Sequence, residues 1–245
     1  MPNLALQLYT LRDQLQADLE GTVGRLAEIG YDTAEIVAAT RAEVVPVLRE
    51  HGIRPVSAHV SLDLLATPEA TVAELAEIGC EYAVLASLPA GHRQSVAAVR
   101  EAAATLGAAA PVAAAQGLRI GYHNHAFEFD PLEGTTIFEV LLQETDPAVF
   151  FELDVYWLAR AGVDPAARIR ALAGRVPLLH VKDVADDEAH SFAPVGTGVL
   201  DWAGILGAAR EAGTEWHIVE QDQSDDPLVD VATALRNLRS MAPHA

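Results

Sequence analysis

Four short segments end an apolar run with acid, imidazole or amide groups two residues apart: Tyr122-His123-Asn124-His125, Glu152-Leu153-Asp154, His180-Val181-Lys182 and Glu220-Gln221-Asp222. In a strand, residues i and i+2 face the same side, so each pair points into one space. Carboxylate and imidazole together suit a divalent metal. Asp154 would otherwise only cap the segment that follows it. Because Glu152 shares its face, two acids would crowd one interior unless a cation compensates. That assigns Asp154 to metal, and leaves Glu152, one layer deeper, in a supporting role. His180 closes a buried run, and Glu220 follows Ile218-Val219. A buried carboxylate there costs several kcal/mol without a partner, so a metal or an arginine is required.

Other groups extend this set. His123 and His125 share a face, Asn124 between them is placed to bridge backbone, and Glu128 follows in Phe127-Glu128-Phe129, whose aromatics would pack a loop over the site. Glu35 and His59 are inward candidates on the opposite side, and Gln7 and Tyr9 offer hydrogen bonds to a hydroxylated ligand. Trp157 and Trp202 suit an apolar wall beside a sugar ring. Lys182 is the only lysine in the chain. Two residues past His180, it is read as reaching a substrate oxygen, against a competing salt bridge to Asp154, Glu220 or Asp222. His92, His190, His217 and His244 lack such company and receive no role.

The elements that must position these groups alternate from end to end. Strands are predicted over 4–8, 33–37, 55–60, 82–86, 118–123, 149–153, 177–181 and 216–219. Helices are predicted over 18–29, 41–50, 69–78, 95–116 (broken near Pro111), 137–143, 166–172, 202–211 and 228–240. Eight strand–helix units in 245 residues, with no linker or repeat, predict an α/β fold: a single (β/α)8 TIM barrel over 1–245, its site at the C-terminal strand ends. A doubly wound sheet would carry a Gly-rich phosphate turn after its first strand, and Tyr9-Thr10-Leu11-Arg12-Asp13 has no glycine.

Composition narrows the partners. A net charge of −19 repels nucleic acid, whose binding depends on Lys and Arg at phosphates. No run of about 18 uninterrupted apolar residues exists, so no membrane partner is expected. The start lacks a charged n-region and an apolar h-region, and one cysteine, Cys80, forms no intrachain disulfide. A cytoplasmic location is expected. The pattern is compatible with a homo-oligomer.

The chain resembles the sugar phosphate isomerase/epimerase family of the xylose isomerase-like barrel superfamily. The resemblance rests on the 6–13 segment LQLYTLRD, on Tyr122-His123-Asn124-His125 with Glu128-Phe129, and on Glu152-Leu153-Asp154-Val155-Tyr156-Trp157. His180-Val181-Lys182-Asp183 and the Gly196-x-Gly198-x-x-Asp201-Trp202 stretch complete it. That superfamily also holds ketose epimerases, inosose dehydratase and apurinic endonuclease relatives. The resemblance implies one divalent ion (Mn2+, Mg2+, Co2+ or Zn2+) held by Glu, Asp, His and Glu from the last four strands. Asp154, His180 and Glu220 match three positions. Where many members carry glutamate at the end of strand five, this chain has His123. The fourth ligand is therefore His123, or Glu128 reaching back from its loop, and the preference of such ions for oxygen favours Glu128.

The expected reaction is isomerisation or epimerisation of a sugar or cyclitol by proton abstraction next to a carbonyl, through a metal-stabilised enediolate. Glu220 is the expected base, with His125 or Glu128 as the opposing acid/base. Lys182 is expected at a substrate oxygen, and Glu35, His59, His123, Gln7 and Trp157 at the substrate. Expelling a β-hydroxyl from the same enediolate would instead make a dehydratase or lyase. A non-catalytic sugar-binding barrel is the reading from another class. An abasic-site nuclease would need three metals and a basic face. With so few cations near the strand ends, the substrate is expected to be unphosphorylated, or held through backbone amides.

Overall fold

The computed structural model describes residues 3–241, so His244 lies outside the described residues. Eight parallel strands close a barrel: β1 (Asn3–Gln7), β2 (Thr33–Val37), β3 (Arg54–Val60), β4 (Tyr82–Leu85), β5 (Arg119–His123), β6 (Phe150–Asp154), β7 (Leu178–Val181) and β8 (Trp216–Val219), with β8 pairing back onto β1. The expected (β/α)8 architecture is present. Local chemistry starts and stops its helices. Asp18 caps the Leu19–Ile29 helix through the Gly21 N–H, and Gly30 ends it at φ 107°, a conformation glycine adopts freely.

The helix expected to break near Pro111 runs unbroken from Val96 to Ala114. Pro111 lies in its last turns, where the missing N–H removes one backbone bond and the alanine-rich flank leaves room for the ring. By length and composition this helix would pass for a membrane span. Here its Val99, Ala102, Ala103 and Leu106 are buried in the core between barrel and helices.

Inside the barrel, below the site, Ala5, Val56, Tyr82, Val84, Phe150, Leu178, Trp216 and Ile218 fill the lumen. A Cβ on Gly121 would land on the Phe150 ring, so glycine on β5 makes room for a large side chain on β6. The charged layer therefore rests on a packed apolar floor.

His217, on the other face of β8, is buried with neither ring nitrogen hydrogen-bonded. Burial pushes its pKa down to about 4. The neutral ring is favoured in the folded chain, so stability is full above the unfolded value of 6.5 and is lost as pH falls from there towards 4. At pH 5 the loss is about 2 kcal/mol. Urea unfolding at pH 7.5 and pH 5 is expected to show His217→Leu losing about 2 kcal/mol less than wild type over that interval. Identical pH dependence in the two proteins would contradict this origin.

Candidate active site

Barrel register brings the strand-end groups together. His123 on β5 pairs with Glu152 on β6, and Asp154 on β6 pairs with His180 on β7. Asn124 ties the first two strand ends by accepting the Asp154 N–H on Oδ1 at 3.1 Å. Asp154 Oδ1 accepts the Trp157 N–H at 3.1 Å, capping the Val155–Arg160 helix, so only Oδ2 remains for the site. At the end of β8, Thr10 Oγ1 accepts the Gln221 N–H at 3.1 Å and fixes the turn carrying Glu220.

Two layers result. The upper one holds His123, Asp154, His180 and Glu220, whose potential ligand atoms all lie within 4.8 Å of one another. His180 Nδ1 is 2.8 Å from Glu220 Oε2, and His123 Nε2 is 3.7 Å from Asp154 Oδ2. The Lys182 ammonium sits against the same oxygens, 2.9 Å from Asp154 Oδ2 and 2.6 Å from Glu220 Oε2, with Asp222 at 3.1 Å. The lower layer holds Glu152, Glu35 and His59. Glu152 Oε2 faces three imidazole nitrogens: His59 Nε2 at 2.8 Å, His123 Nδ1 at 3.1 Å and His180 Nε2 at 3.2 Å. Glu35 Oε1 takes His180 Nε2 at 2.7 Å and the Gln7 amide at 2.7 Å.

The charges follow from these contacts. Burial raises the Glu35 carboxyl, and neighbouring Glu152 raises it further. Burial also works to raise Glu152, but the His180 charge and hydrogen bonds from His123, His180 and His59 outweigh it and hold Glu152 well below the usual range. His180 is pushed well above its ordinary value, because Glu152, Glu35 and Glu220 together overcome the burial that opposes its charge. Burial and the nearby His180 charge push His123 well down, so it stays neutral. Glu220 is held low, against burial, by Lys182 and His180. Lys182 is held high, against burial, by Asp154, Glu220 and Asp222.

A cavity of about 640 Å3 opens above the upper layer. His59, His123, His125, Trp157, Lys182, Glu220 and Asp222 line it, together with Tyr9 and Phe192. Towards β2–β4 its wall is largely apolar, formed by Val37, Ala39, Val60, Leu64 and Ala86. Trp157 and Phe192 stand edge to face, with ring centroids 5.9 Å apart.

Four expectations need correction. Glu128 is fully buried and does not join the ligand group: Oε1 accepts the Tyr122 hydroxyl at 2.6 Å and Oε2 the His125 N–H at 2.7 Å. The group at the β5 position is His123, and Glu128 has no free edge for ion or substrate. Gln7 and Glu35, read as substrate contacts, are fully buried beneath the histidines and do not line the cavity. Trp202 is no wall either, since its Nε1 donates to Asp183 Oδ2 at 2.7 Å within the core. Phe127 and Phe129 do not cover the site: Phe127 lies beside His125 under the Arg93 guanidinium, and Phe129 packs on Phe138.

Sequence reasoning gave Asp183 no role. Its carboxylate accepts N–H groups from Val184, Gly196, Gly198 and Leu200 besides Trp202, and so builds the loop after β7. A Cβ on Gly198 would strike the Val184 carbonyl, which explains the glycine. An acid followed by two spaced glycines and a tryptophan was the available signal.

No curated protein matches the chain. Solved structures match its fold from end to end. A sugar phosphate isomerase/epimerase from Parabacteroides distasonis ATCC 8503 is 24% identical over 98% of this chain and 94% of that one, with a TM-score of 0.84. An L-ribulose 3-epimerase is 15% identical over 100% and 99%, at 0.70. A probable 3-DHS dehydratase from Bacillus anthracis is 15% identical over 97% and 98%, also at 0.70. The family described as Xylose isomerase-like TIM barrel matches residues 23–241, a stretch that carries the strands from β2 to β8 and all four upper-layer donors, and the chain belongs to that family.

Proposed function

We propose that the protein is a divalent-metal-dependent isomerase or epimerase of an unphosphorylated sugar or cyclitol. The observation that carries the reading is the convergence of His123, Asp154, His180 and Glu220 beneath a cavity lined by further acid/base groups. Two imidazoles and two carboxylates, with Asp154 Oδ2 and Glu220 Oε2 turned to a common point that a cation already occupies, fit such an ion. Bound there, it would polarise a substrate carbonyl and stabilise negative charge growing on its oxygen.

The chain's own groups supply the proton traffic. Glu220, ionised by its neighbours, is placed to take the proton from the carbon next to the carbonyl, whose C–H electrons pass to the carbonyl oxygen. His125 lines the same cavity across from Glu220 and would return a proton. Return to the same carbon from the other face gives the epimer; return to the former carbonyl carbon, with the hydroxyl proton passing from one oxygen to the other, gives the isomer. Among the described residues lining the cavity, Lys182 is the sole Lys or Arg, and three carboxylates engage it. A phosphate would find no Lys or Arg there that is not already paired with carboxylates, which supports a neutral substrate.

Incubated in D2O with Mn2+ and a panel of ketoses and keto-inositols, the protein is expected to place deuterium on a substrate carbon without changing the heavy-atom composition. Loss of water from the product would move the assignment to a lyase. No exchange with any member, neutral or phosphorylated, would remove proton abstraction as the chemistry.

A further inference from the structure

Each of the two upper histidines has one nitrogen in each layer. His180 turns Nδ1 up to Glu220 and Nε2 down to Glu35 and Glu152, and His123 turns Nε2 up towards Asp154 and Nδ1 down to Glu152. A neutral imidazole donates from one nitrogen and accepts or ligates with the other. A carboxylate on the lower nitrogen therefore holds the proton below, so that when an ion binds it is the upper nitrogen that gives up any proton it carries and ligates. Glu152 does this for both rings with one oxygen, and Glu35 repeats it for His180.

The lower group of His59, His123, Glu152 and His180 is also compact enough to hold an ion. Three observations favour the upper position. Glu152 Oε2 is already surrounded by three imidazole nitrogens, the lower carboxylates are sealed from the cavity, and the upper group offers two anionic oxygens beside Lys182.

We infer that Glu152, backed by Glu35, is the positioning residue that presents His180 Nδ1 and His123 Nε2 to the ion, and that the ion occupies the upper layer only. The inference rests on the metal-dependent reading above. It adds a tautomer for each histidine and a purpose for two fully buried carboxylates that do not line the cavity.

Mn2+ titration calorimetry on the full chain tests it. Glu152→Gln is expected to bind Mn2+ about 10- to 100-fold more weakly than wild type, and Glu35→Gln about tenfold more weakly. A carboxylate that served only packing would shift the melting temperature and leave the Mn2+ affinity unmoved. Should Glu152→Gln fail to fold, Glu35→Gln carries the same comparison. Wild-type affinity in a folded variant overturns the inference while the metal reading stands. So does anomalous density from Mn2+ on the Glu152 side of the histidines in soaked wild-type crystals. A wild-type protein that binds none of Mn2+, Mg2+, Co2+ and Zn2+ ends both.

Discussion

Asp154→Asn protein is expected to bind Mn2+ at least about 100-fold more weakly than wild type, exceeding the effect typical of groups behind the ligands. The substitution isolates the charge. Asparagine keeps an oxygen for the Trp157 N–H, so the cap of the Val155–Arg160 helix survives, and only the anionic Oδ2 is lost. His180→Ala should lose the ion as well, because it removes a ligand and the link between the two layers. Calorimetry and metal content after loading and desalting measure both. If each variant keeps wild-type affinity, the upper layer is not the metal site. A loss confined to His180→Ala would move the ion to the lower group.

Lys182→Met produces the second large effect, and in two separable parts. In metal-free protein Lys182 neutralises Asp154, Glu220 and Asp222, and removing one partner of a buried ion group costs about 3–5 kcal/mol. For a chain of this length that is a fall of roughly 6–20 °C in melting temperature. Added Mn2+ should recover most of it, since the ion takes over the same oxygens, and Mn2+ affinity should rise with the competing cation gone. Turnover at saturating Mn2+ is nevertheless expected to fall about 100-fold or more, the usual effect of losing a charged donor to a developing oxyanion. Restored stability with normal turnover would leave Lys182 as charge balance alone, the competing reading of the sequence.

The fold was legible because its signal is repeated and local. Apolar runs at strand length alternate with helical periodicity, and bounds such as Thr33–Val37, Arg41–Glu50 and Trp216–Val219 are those the spacing predicts. Pro111 misled because helix breaking depends on its position in the helix and on its neighbours. Asp154, His180 and Glu220 were visible as chemistry-bearing groups because each ends a buried run on the inward face. The centrality of Glu152 was less visible, since it requires nitrogens from β3, β5 and β7 to meet one oxygen across the lumen. Glu128 was misplaced for a related reason. Its spacing allows reach towards the site, but a turn of three residues folds it back onto the His125 N–H and the Tyr122 hydroxyl.

Asp183 and the loop it gathers carry a consequence for how such chains diversify. Five hydrogen bonds to one carboxylate make the segment through Trp202 behave as a prefabricated bracket, held by its own contacts while it presents Phe192 to the cavity. Its spelling therefore reports kinship and says little about chemistry, so two proteins sharing it need share no substrate. Novelty can accumulate instead on the β2–β4 wall, where Val37, Ala39, Val60, Leu64 and Ala86 line the cavity and none belongs to the ligand group. To tell relatives of this chain apart by substrate, those five positions are the place to look.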